Sequence, residues 1–480
     1  MKKNNSQFSI LNSQFNKRQW INFGIWAVLY ILFCIWMENL WLLFGLLVLI
    51  DIFLTKFIPW GGWKKAKNPK VREMLEWIDD ILFALIAVYI INLFVFQNYQ
   101  IPTPSLEKSL LVGDYLFVSK LSYGPRVPNT PISFPLVQNT LPFFNTKSYI
   151  EWPNWGYKRV KGLGTVKRND IVVFNFPAGD TIALYEQNPD FYNLVERDGR
   201  ANVLTNKARY GEIMYRPVDK RENYVKRCIG MPGDMLSVVD NQVYIDGKEA
   251  FNPENLQYVY YVETDGSILT EDQFRMLGIS KKDRELVSSY TGYHRYLLPM
   301  GFGDEGRIST PVYRLPLTKK ALDMIQKIPT VKQVIIEPDN YFGGSTYPTG
   351  VSAYQTGWTR DNFGPILIPA KGNTIQLDEK NLALYNRCIR NYENNTLEVK
   401  PDGTVLINGK SATSYTFKYD YYFMMGDNRH NSLDSRAWGF VPEDHIVGKP
   451  ILIWLSLDKD FGLFNGGIRW NRMFRMVHAN

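Results

Sequence analysis

The chain has 480 residues, of which 45% are hydrophobic and 15% aromatic, and its formal net charge at pH 7 is +8. That length exceeds one ordinary domain and suits two or three. The positive charge does not indicate a nucleic-acid-binding protein, because much of the excess of Lys and Arg lies beside the apolar runs, where it is typical of membrane orientation.

Two apolar runs follow a polar, basic N-terminus that comprises residues 1–19. The first run covers residues 20–37 and the second residues 40–58, and each approaches the ~20 residues with which a helix crosses a bilayer. Because a single polar dipeptide separates the runs, residues 20–58 are predicted to form a transmembrane helical hairpin. A cleaved signal peptide is disfavoured, because the first run is long and has no small-x-small cleavage site.

A third apolar run follows a segment rich in Lys and Arg. The positive-inside rule places this basic segment, residues 59–77, in the cytoplasm. The third run, residues 78–97, is then predicted to cross the membrane outwards as the last of three N-terminal transmembrane helices. The rest of the chain is expected on the periplasmic or extracytoplasmic side. These features predict a multi-pass protein of the cytoplasmic (inner) membrane, with the lipid bilayer as a partner.

The sequence pattern of the remaining chain predicts a mainly β fold. Short runs of β-branched and aromatic residues, bounded by Gly, Pro, Asn and Asp, predict strands. These runs occupy residues 115–119, 170–175, 236–239, 243–245, 404–407 and 451–455. Helical periodicity is weak here, apart from a short helix predicted near residues 317–328.

Two stretches of this region resemble each other: Val243-Tyr-Ile-Asp-Gly-Lys248 and Val405-Leu-Ile-Asn-Gly-Lys410. Asp-Gly and Asn-Gly predict type I′ hairpin turns, since both central residues need positive φ. The two stretches are either similar hairpins or the partly duplicated edges of a long insertion. We therefore divide the region into a first half of an antiparallel β domain (98–250), a large inserted subdomain (251–365), a second half (366–456) and a basic, aromatic tail (457–480).

Several stretches carry candidate chemistry. Residues 100–110 follow the membrane exit and contain Ser105, a candidate nucleophile at the membrane surface. Lys226 lies in an apolar strand just before a Gly-x-Pro-Gly-Asp turn, and burial of a lysine lowers its pKa and makes it a base for a serine hydroxyl. A dense run of Asp, Asn, Arg and Ser occupies residues 426–436, and the turn at residues 167–170 leads into an apolar strand.

In this order behind a membrane span, these stretches resemble the type I signal peptidases (leader peptidases) over residues 80–250 and 366–455. The patterns Lys-Arg-x-x-Gly-x-Pro-Gly-Asp and Gly-Asp-Asn-Arg-x-x-Ser-x-Asp-Ser-Arg carry the resemblance. The family consists of Ser/Lys serine endopeptidases with a mainly antiparallel β domain at the membrane. The resemblance implies a hydrolase that removes N-terminal signal peptides from exported precursor proteins, without a metal or organic cofactor.

The resemblance also implies a role for each matching residue. Ser105 is the expected nucleophile and Lys226 the general base, while the Thr103 hydroxyl and the Ser105 N–H are the expected oxyanion hole. Ser432 is expected to hydrogen-bond to Lys226 and orient it. Structural support is assigned to Asp427, Asn428, Arg429, Asp434 and Arg436, the last two as an ion pair. The substrate pocket is assigned to Ile101, Pro102, Leu110 and Val225.

The nucleophile loop departs from the family's common pattern, Ser-Gly-Ser-Met-x-Pro-Thr-Leu. Here the loop reads Thr-Pro-Ser-Leu-Glu-Lys-Ser-Leu over residues 103–110. Pro104 biases Thr103 towards an extended backbone and leaves the Ser105 N–H free. The geometry of the loop is therefore expected to differ more than its chemistry.

Other assignments stay open at this point. Ser105 and Lys108 satisfy the S-x-x-K pattern of penicillin-binding proteins, although the partner strings S-D-N and K-T-G are absent. A Ser-His-Asp triad would use His430 or His445. A membrane-anchored β-domain binding module with a decayed peptidase site is the non-enzymatic alternative. No zinc motif occurs, and a Cys228–Cys388 disulfide and the oligomeric state are left undecided.

Overall fold

The computed structural model describes residues 17–62, 66–142, 146–187, 190–339, 346–348, 356–458, 460–462 and 466–478. Residues 1–16 of the predicted N-terminal segment and parts of the predicted insertion lie outside the described residues. The helices are α1 (Lys17–Trp36), α2 (Gly45–Ile50), α3 (Pro69–Phe94), α4 (Phe191–Asp198), α5 (Arg200–Thr205), α6 (Lys207–Tyr210), α7 (Glu271–Leu277), α8 (Thr291–Leu297), α9 (Lys319–Ile325), α10 (Glu379–Arg387) and α11 (Ser435–Trp438).

The strands confirm a mainly β domain, and every predicted strand is present. They are β1 (Phe96–Gln100), β2 (Asp114–Ser119), β3 (Ile171–Asn175), β4 (Thr181–Ala183), β5 (Ile213–Tyr215), β6 (Asn223–Gly230), β7 (Met235–Val239), β8 (Gln242–Ile245), β9 (Lys248–Glu249), β10 (Gln257–Thr264), β11 (Glu285–Leu286), β12 (Val312–Thr318), β13 (Val331–Ile336), β14 (Phe363–Leu367), β15 (Thr374–Gln376), β16 (Leu397–Val399), β17 (Val405–Ile407), β18 (Lys410–Ser411), β19 (Ser414–Thr416), β20 (Tyr421–Met425), β21 (Val441–Pro442), β22 (Ile446–Ser456) and β23 (Arg475–Met476).

The N-terminal apolar runs form two long helices and one shorter, irregular segment. Among the described residues, α1 and α3 are the helices long and apolar enough to cross a membrane. The run predicted as the second span is a shorter apolar helix, Leu40–Thr55, built from 3₁₀, α and π turns. Asp51 ends it early, because its carboxylate accepts hydrogen bonds from the N–H groups of Phe57 and Ile58. Three full-length transmembrane helices are therefore not confirmed.

The helix α3 begins earlier than the sequence predicted. Its N-cap is Asn68, whose side chain accepts a hydrogen bond from the Lys70 N–H, and Pro69 occupies the first helical position. The second half of the basic segment 59–77 is thus helical. The helix then leads almost directly into β1 at Phe96.

The ends of α1 and α3 meet on one face of the β domain. The Trp36 and Phe94 rings lie 6.2 Å apart, and both pack against buried Val127 and Val160. The Lys158 ammonium donates hydrogen bonds to the last carbonyls of the first helical segment. The two long helices therefore run in the same direction towards the β domain.

The main sheet joins strands from both halves of the chain. Its order is β1-β2-β22-β3-β6-β20-β21, with β23 on β22, and its neighbours are antiparallel. All five residues of β3 are buried, because alternate side chains enter two different cores. Val172 and Phe174 pack with Cys228, while Ile171 and Val173 enter the core beneath β1 and β2.

Both predicted type I′ hairpins are confirmed. Asp246 and Gly247, between β8 and β9, have φ of 51° and 75°, and Asn408 and Gly409, between β17 and β18, have φ of 51° and 77°. These hairpins flank the region predicted as an insertion. They differ in their third strand, since β8 pairs with β7 whereas β17 pairs with β16.

The region between them contains a second sheet with its own cores. Strands β11, β12, β10 and β13 form this sheet, with α7 and α9 packed in one core and α8 in another. The helix predicted near residues 317–328 is α9, but Pro316 lies in β12, opposite Val259 of β10. The boundaries predicted for the inserted subdomain, 251–365, stay a prediction. The strand β14 runs across residue 365 and pairs with β7 of the first half.

The cysteines are free and buried. Cys228 lies in the core beside Val172, whereas Cys388 lies in the core built around β7, β14 and α10. The Cys228–Cys388 disulfide is therefore absent, because the two thiols occupy separate cores.

Candidate active site

Ser105 and Lys226 are in hydrogen-bond contact. The Lys226 Nζ lies 2.7 Å from the Ser105 Oγ, and the two residues are 3% and 5% exposed, respectively. Ser105 occupies a single 3₁₀ turn, Pro104–Leu106, that follows β1. Lys226 lies in β6, paired with Val172 of the buried strand β3. The rigid sheet thus presents the amine to a hydroxyl on a short loop.

The surroundings of Lys226 favour its neutral form. Burial lowers the pKa of Lys226 to about 8, and the charges of Asp434 and Asp427 offset only part of that effect. The Tyr224 ring, whose centre lies 5.8 Å from the Nζ, adds only a weak preference for the charged form. A lysine in this state can accept a proton from a hydroxyl near neutral pH, which an ordinary lysine cannot.

The loop after β20 holds the Ser105 turn in place. The Asn428 N–H donates to the Ser105 carbonyl at 3.0 Å, and the Asn428 side chain donates to the Pro104 carbonyl at 3.3 Å. Gly426 lies so close that a Cβ there would be 2.6 Å from the Ser105 carbonyl oxygen and 2.3 Å from the Ser432 Oγ. A glycine is therefore required at this approach.

A buried ion pair links this loop to β6. The Arg227 guanidinium donates two hydrogen bonds to the Asp427 carboxylate, at 2.8 and 2.7 Å, and both side chains are almost inaccessible. The Ser109 hydroxyl donates to the same carboxylate at 2.6 Å. The sequence reasoning missed Arg227 and Ser109. The available signal was strand alternation, which points Arg227 to the face opposite Lys226.

The expected ion pair between Asp434 and Arg436 is present at 2.8 Å. Asp434 also accepts a hydrogen bond from the Gly426 N–H, and Arg436 donates to the Arg429 carbonyl. Burial pushes the pKa of Asp434 up, but the Arg436 guanidinium and the Gly426 N–H outweigh it and hold the pKa below its usual range. This pair braces the loop from Gly426 to Arg436.

Ser432 does not make the expected hydrogen bond. Its hydroxyl is buried and reaches no partner within hydrogen-bond geometry among the described residues, Lys226 included. The Ser432 hydroxyl misses Lys226 because it lies over Gly426, in the space that a Cβ of that residue would take. Arg429 is likewise buried, and its Nε has no partner in the described chain.

The remaining predicted site residues divide into two groups. Thr103 is extended, with φ −125° and ψ 152°, and its side chain is exposed next to the Ser105 turn. Ile101, Leu110 and Val225 share one apolar core below that turn. Pro102 is exposed and stands outside this core, so the structure brings together three of the four predicted pocket residues.

The alternative catalytic arrangements do not form. Lys108 has φ +73°, which ends the turn, and its ammonium donates to the Gly278 carbonyl in the region after α7. The two ring nitrogens of His430 meet the Val259 N–H and Asp361, and those of His445 meet Asp444 and Arg221, so neither imidazole is directed at Ser105. In the part of the chain that the structure describes, no group of three or more His, Cys, Asp or Glu side chains could hold a metal ion.

Comparison with known proteins identifies the family. The chain matches the family described as signal peptidase, peptidase S26, over residues 74–288 and 367–455. A signal peptidase I of Haemophilus influenzae is 24% identical and covers 86% of this chain and 79% of its own length. Two signal peptidase I proteins of Buchnera aphidicola, from the subspecies Acyrthosiphon pisum and Baizongia pistaciae, are 26% and 22% identical, covering 85% and 89% of this chain and 83% and 91% of their own lengths. The chain belongs to the signal peptidase S26 family.

Proposed function

We propose that this protein is a membrane-bound serine endopeptidase that removes N-terminal signal peptides from exported precursor proteins. The observation that carries this proposal is the buried contact of 2.7 Å between the Lys226 Nζ and the Ser105 Oγ. It lies just beyond α3, so a hydroxyl activated there acts on polypeptide at the membrane surface. The names of the relatives agree with this activity.

In the proposed mechanism, neutral Lys226 takes the proton of Ser105 as the Oγ attacks the scissile carbonyl. The ammonium then returns that proton to the leaving amine, and the peptide bond is replaced by an ester to Ser105. A water molecule, deprotonated by the same lysine, hydrolyses the ester and restores the hydroxyl. The pKa of about 8 suits both directions of transfer near neutral pH.

The oxyanion that forms during attack requires hydrogen-bond donors. Ser105 lies at the start of a 3₁₀ turn, where backbone N–H groups lack partners within the helix. The exposed Thr103 side chain lies two residues away and can turn its hydroxyl towards a bound peptide. Each such donor typically contributes 10²–10³-fold, or about 3 kcal/mol, to the rate.

The substrate would bind as an added strand. β1 is an edge of the main sheet, and β6 pairs with β20 only from Arg227 onwards, which leaves the edge of Asn223–Lys226 open. An extended peptide adds to such edges through its backbone, and alternate side chains then enter pockets. The core of Ile101, Leu110 and Val225 lies below that path and favours small apolar side chains before the scissile bond.

We further propose that the active site faces the outer side of the cytoplasmic membrane, and that the two β halves with the inserted subdomain form the extracytoplasmic part. The support is the basic segment 59–77, which the positive-inside rule assigns to the cytoplasm, together with the common direction of α1 and α3, which both end against the β domain. The segment Leu40–Thr55 then completes three crossings by returning the chain to the cytoplasm.

The test is cleavage of a precursor with a small-x-small site by the detergent-solubilised protein. We expect Ser105→Ala and Lys226→Ala to lose at least about 10⁴-fold in rate, as removal of a nucleophile or its base does in serine peptidases. Lys108→Ala is the matched control, a lysine of the same loop, and should retain the parent rate within about threefold. Cleavage that survives Ser105→Ala would contradict the proposal and favour a binding module.

A further inference from the structure

A cavity of about 170 Å³ opens where α3 meets the β domain. Tyr89 and Leu93 of α3 line one side, and Ser133 and Phe134 of the connection between β2 and β3 line another. The Tyr89 hydroxyl lies 3.1 Å from the Ser133 Oγ and within hydrogen-bond distance of the Pro131 carbonyl. The cavity is thus walled by the end of a membrane helix and by a loop fastened to it.

The lining charges are three cations against one carboxylate. The carboxylate, Asp219, already accepts hydrogen bonds from the N–H and the hydroxyl of Thr130. Arg126 is also partly engaged, since it donates to the side chain of Asn175. The cavity therefore keeps a net positive charge after its internal pairs are formed.

Two lysines supply the unsatisfied part of that charge. Lys120 and Lys220 line the cavity, and their ammonium groups make no hydrogen bond or ion pair with any residue that the structure describes. Lys220 is only 8% exposed and lies 5.7 Å from the centre of the Tyr149 ring. Burial, followed by the charges of Arg126 and Lys220, lowers the pKa of Lys120 to about 7. An anion in the cavity would relieve this repulsion.

The surface around the cavity is apolar. Residues of α3 are not buried in the protein, and Ile132, Phe134 and Leu136 near the mouth are 51%, 59% and 64% exposed. Such a surface beside a membrane-spanning helix suits acyl chains. The Lys120 N–H donates to the Val95 carbonyl, so this lysine lies beside the end of that helix, where basic side chains favour the phosphate of lipid headgroups.

We propose that this cavity binds the phosphodiester group of a membrane phospholipid, with Lys120 and Lys220 as the donors that hold it. The lipid would bridge α3 and the β domain and fix the height of the active site above the bilayer. The site is separate from the catalytic pair, because neither Ser105 nor Lys226 lines it.

The test is lipid retention by the full chain in detergent, measured by native mass spectrometry during titration with phosphatidylglycerol. We expect the Lys120→Gln/Lys220→Gln variant to bind the lipid at least about tenfold more weakly, because basic groups near a membrane surface each contribute several-fold. The matched control is Lys161→Gln/Lys167→Gln, which removes two exposed lysines from the connection between β2 and β3. It should change binding less than about twofold. Equal losses in the two variants would overturn the proposal.

Further measurements distinguish a phospholipid from free phosphate compounds and check that each variant is folded. Lys120→Arg/Lys220→Arg keeps the charge and should keep the lipid, and the thermal unfolding midpoint checks that each variant is folded. The parent protein should retain phosphatidylglycerol but not diacylglycerol, which lacks the phosphate. Retention of both lipids, or binding of glycerol phosphate as tight as that of the lipid, would refute a phospholipid site. These readouts do not depend on cleavage, so they stand apart from the proposed function.

Discussion

At the scale of single residues, the protonation of Lys226 governs the proposed reaction. Its pKa is lowered to about 8, and only the neutral amine accepts a proton from Ser105. Below pH 8 the ammonium form dominates, and the neutral fraction falls about tenfold for each further pH unit. We therefore expect the rate of cleavage at low substrate concentration to rise with pH through an inflection near 8. A flat profile from pH 6 to 9 would contradict Lys226 as the base.

The close approach at Gly426 gives a second prediction. In Gly426→Ala the new Cβ would meet the Ser105 carbonyl oxygen at 2.6 Å, so the turn that carries the nucleophile must shift. Displacement by a fraction of an ångström to 1 Å costs up to about 10²-fold in rate. Gly292→Ala in α8, where nothing lies within 4 Å of the added Cβ, is the control. Equal turnover by the two variants, in the cleavage assay, would show that the turn tolerates the contact.

Contact between Ser105 and Lys226 was predictable from the family resemblance, because Lys226 belongs to a long contiguous motif and Ser105 follows the last apolar run at the position that the family pattern gives the nucleophile. The behaviour of Ser432 was not, because it depends on how closely Gly426 approaches the Ser105 turn. Ser109 was missed for a similar reason, since its hydroxyl meets Asp427 from a part of the chain distant in sequence. A sequence motif identifies candidate residues, whereas side-chain conformation and backbone packing determine which of those residues are in contact.

At the scale of elements, the Arg227–Asp427 pair joins β6 to the loop after β20. Its side chains are 0% and 2% exposed, so removal of one charge leaves the other buried without compensation. We expect Asp427→Asn to lower the free energy of unfolding by about 3–5 kcal/mol, measured by urea titration in detergent. Glu212→Gln, which removes a partner of the exposed Lys207 pair, should leave the urea midpoint unchanged. A midpoint for Asp427→Asn within error of the parent would contradict the role of the pair.

The strands were predicted more reliably than the helices. Runs such as 170–175 are continuous and apolar because β3 faces a core on each side. The helices α7, α8 and α10 span only two turns or so, which is too short for a 3.6-residue period to stand out. Their caps, such as the capping box of Thr270 and Gln273, were the available signal. The helix predicted near residues 317–328 begins two residues later, at Lys319, because the strand β12 continues through Pro316 to Thr318.

At the scale of the whole molecule, distant segments combine into features that no single stretch reveals. The cavity beside α3 takes Lys120 from the end of β2, Lys220 from the turn before β6 and Tyr89 from the membrane helix. The region after β9 likewise reaches the catalytic loop, since the Gln257 N–H donates to the Asp427 carbonyl. The sequence analysis assigned these residues to separate segments, whereas in the folded protein they line one cavity or are joined by hydrogen bonds.

The proposed membrane topology is a prediction about the whole molecule. If α1 and α3 both cross the bilayer, the chain between them would have to return across it, because the two helices end at the same face of the β domain. The segment Leu40–Thr55 spans roughly 24 Å as a helix, which is shorter than a ~30 Å hydrocarbon core, so in this topology its flanking residues would complete the crossing. Lys67 should then lie in the cytoplasm, and the hairpin residue Lys248 outside.

Single cysteines test this arrangement, because Cys34, Cys228 and Cys388 are buried and give little background. In intact cells a membrane-impermeant maleimide should label Lys248→Cys and spare Lys67→Cys, whereas permeabilised cells should show both labelled. Labelling of Lys67→Cys from outside would mean that the middle segment does not cross. With the basic segment outside, α3 would begin on the outer side and cross inwards, which would put the β domain in the cytoplasm. That result would contradict both the positive-inside rule and the proposed outer location of the active site.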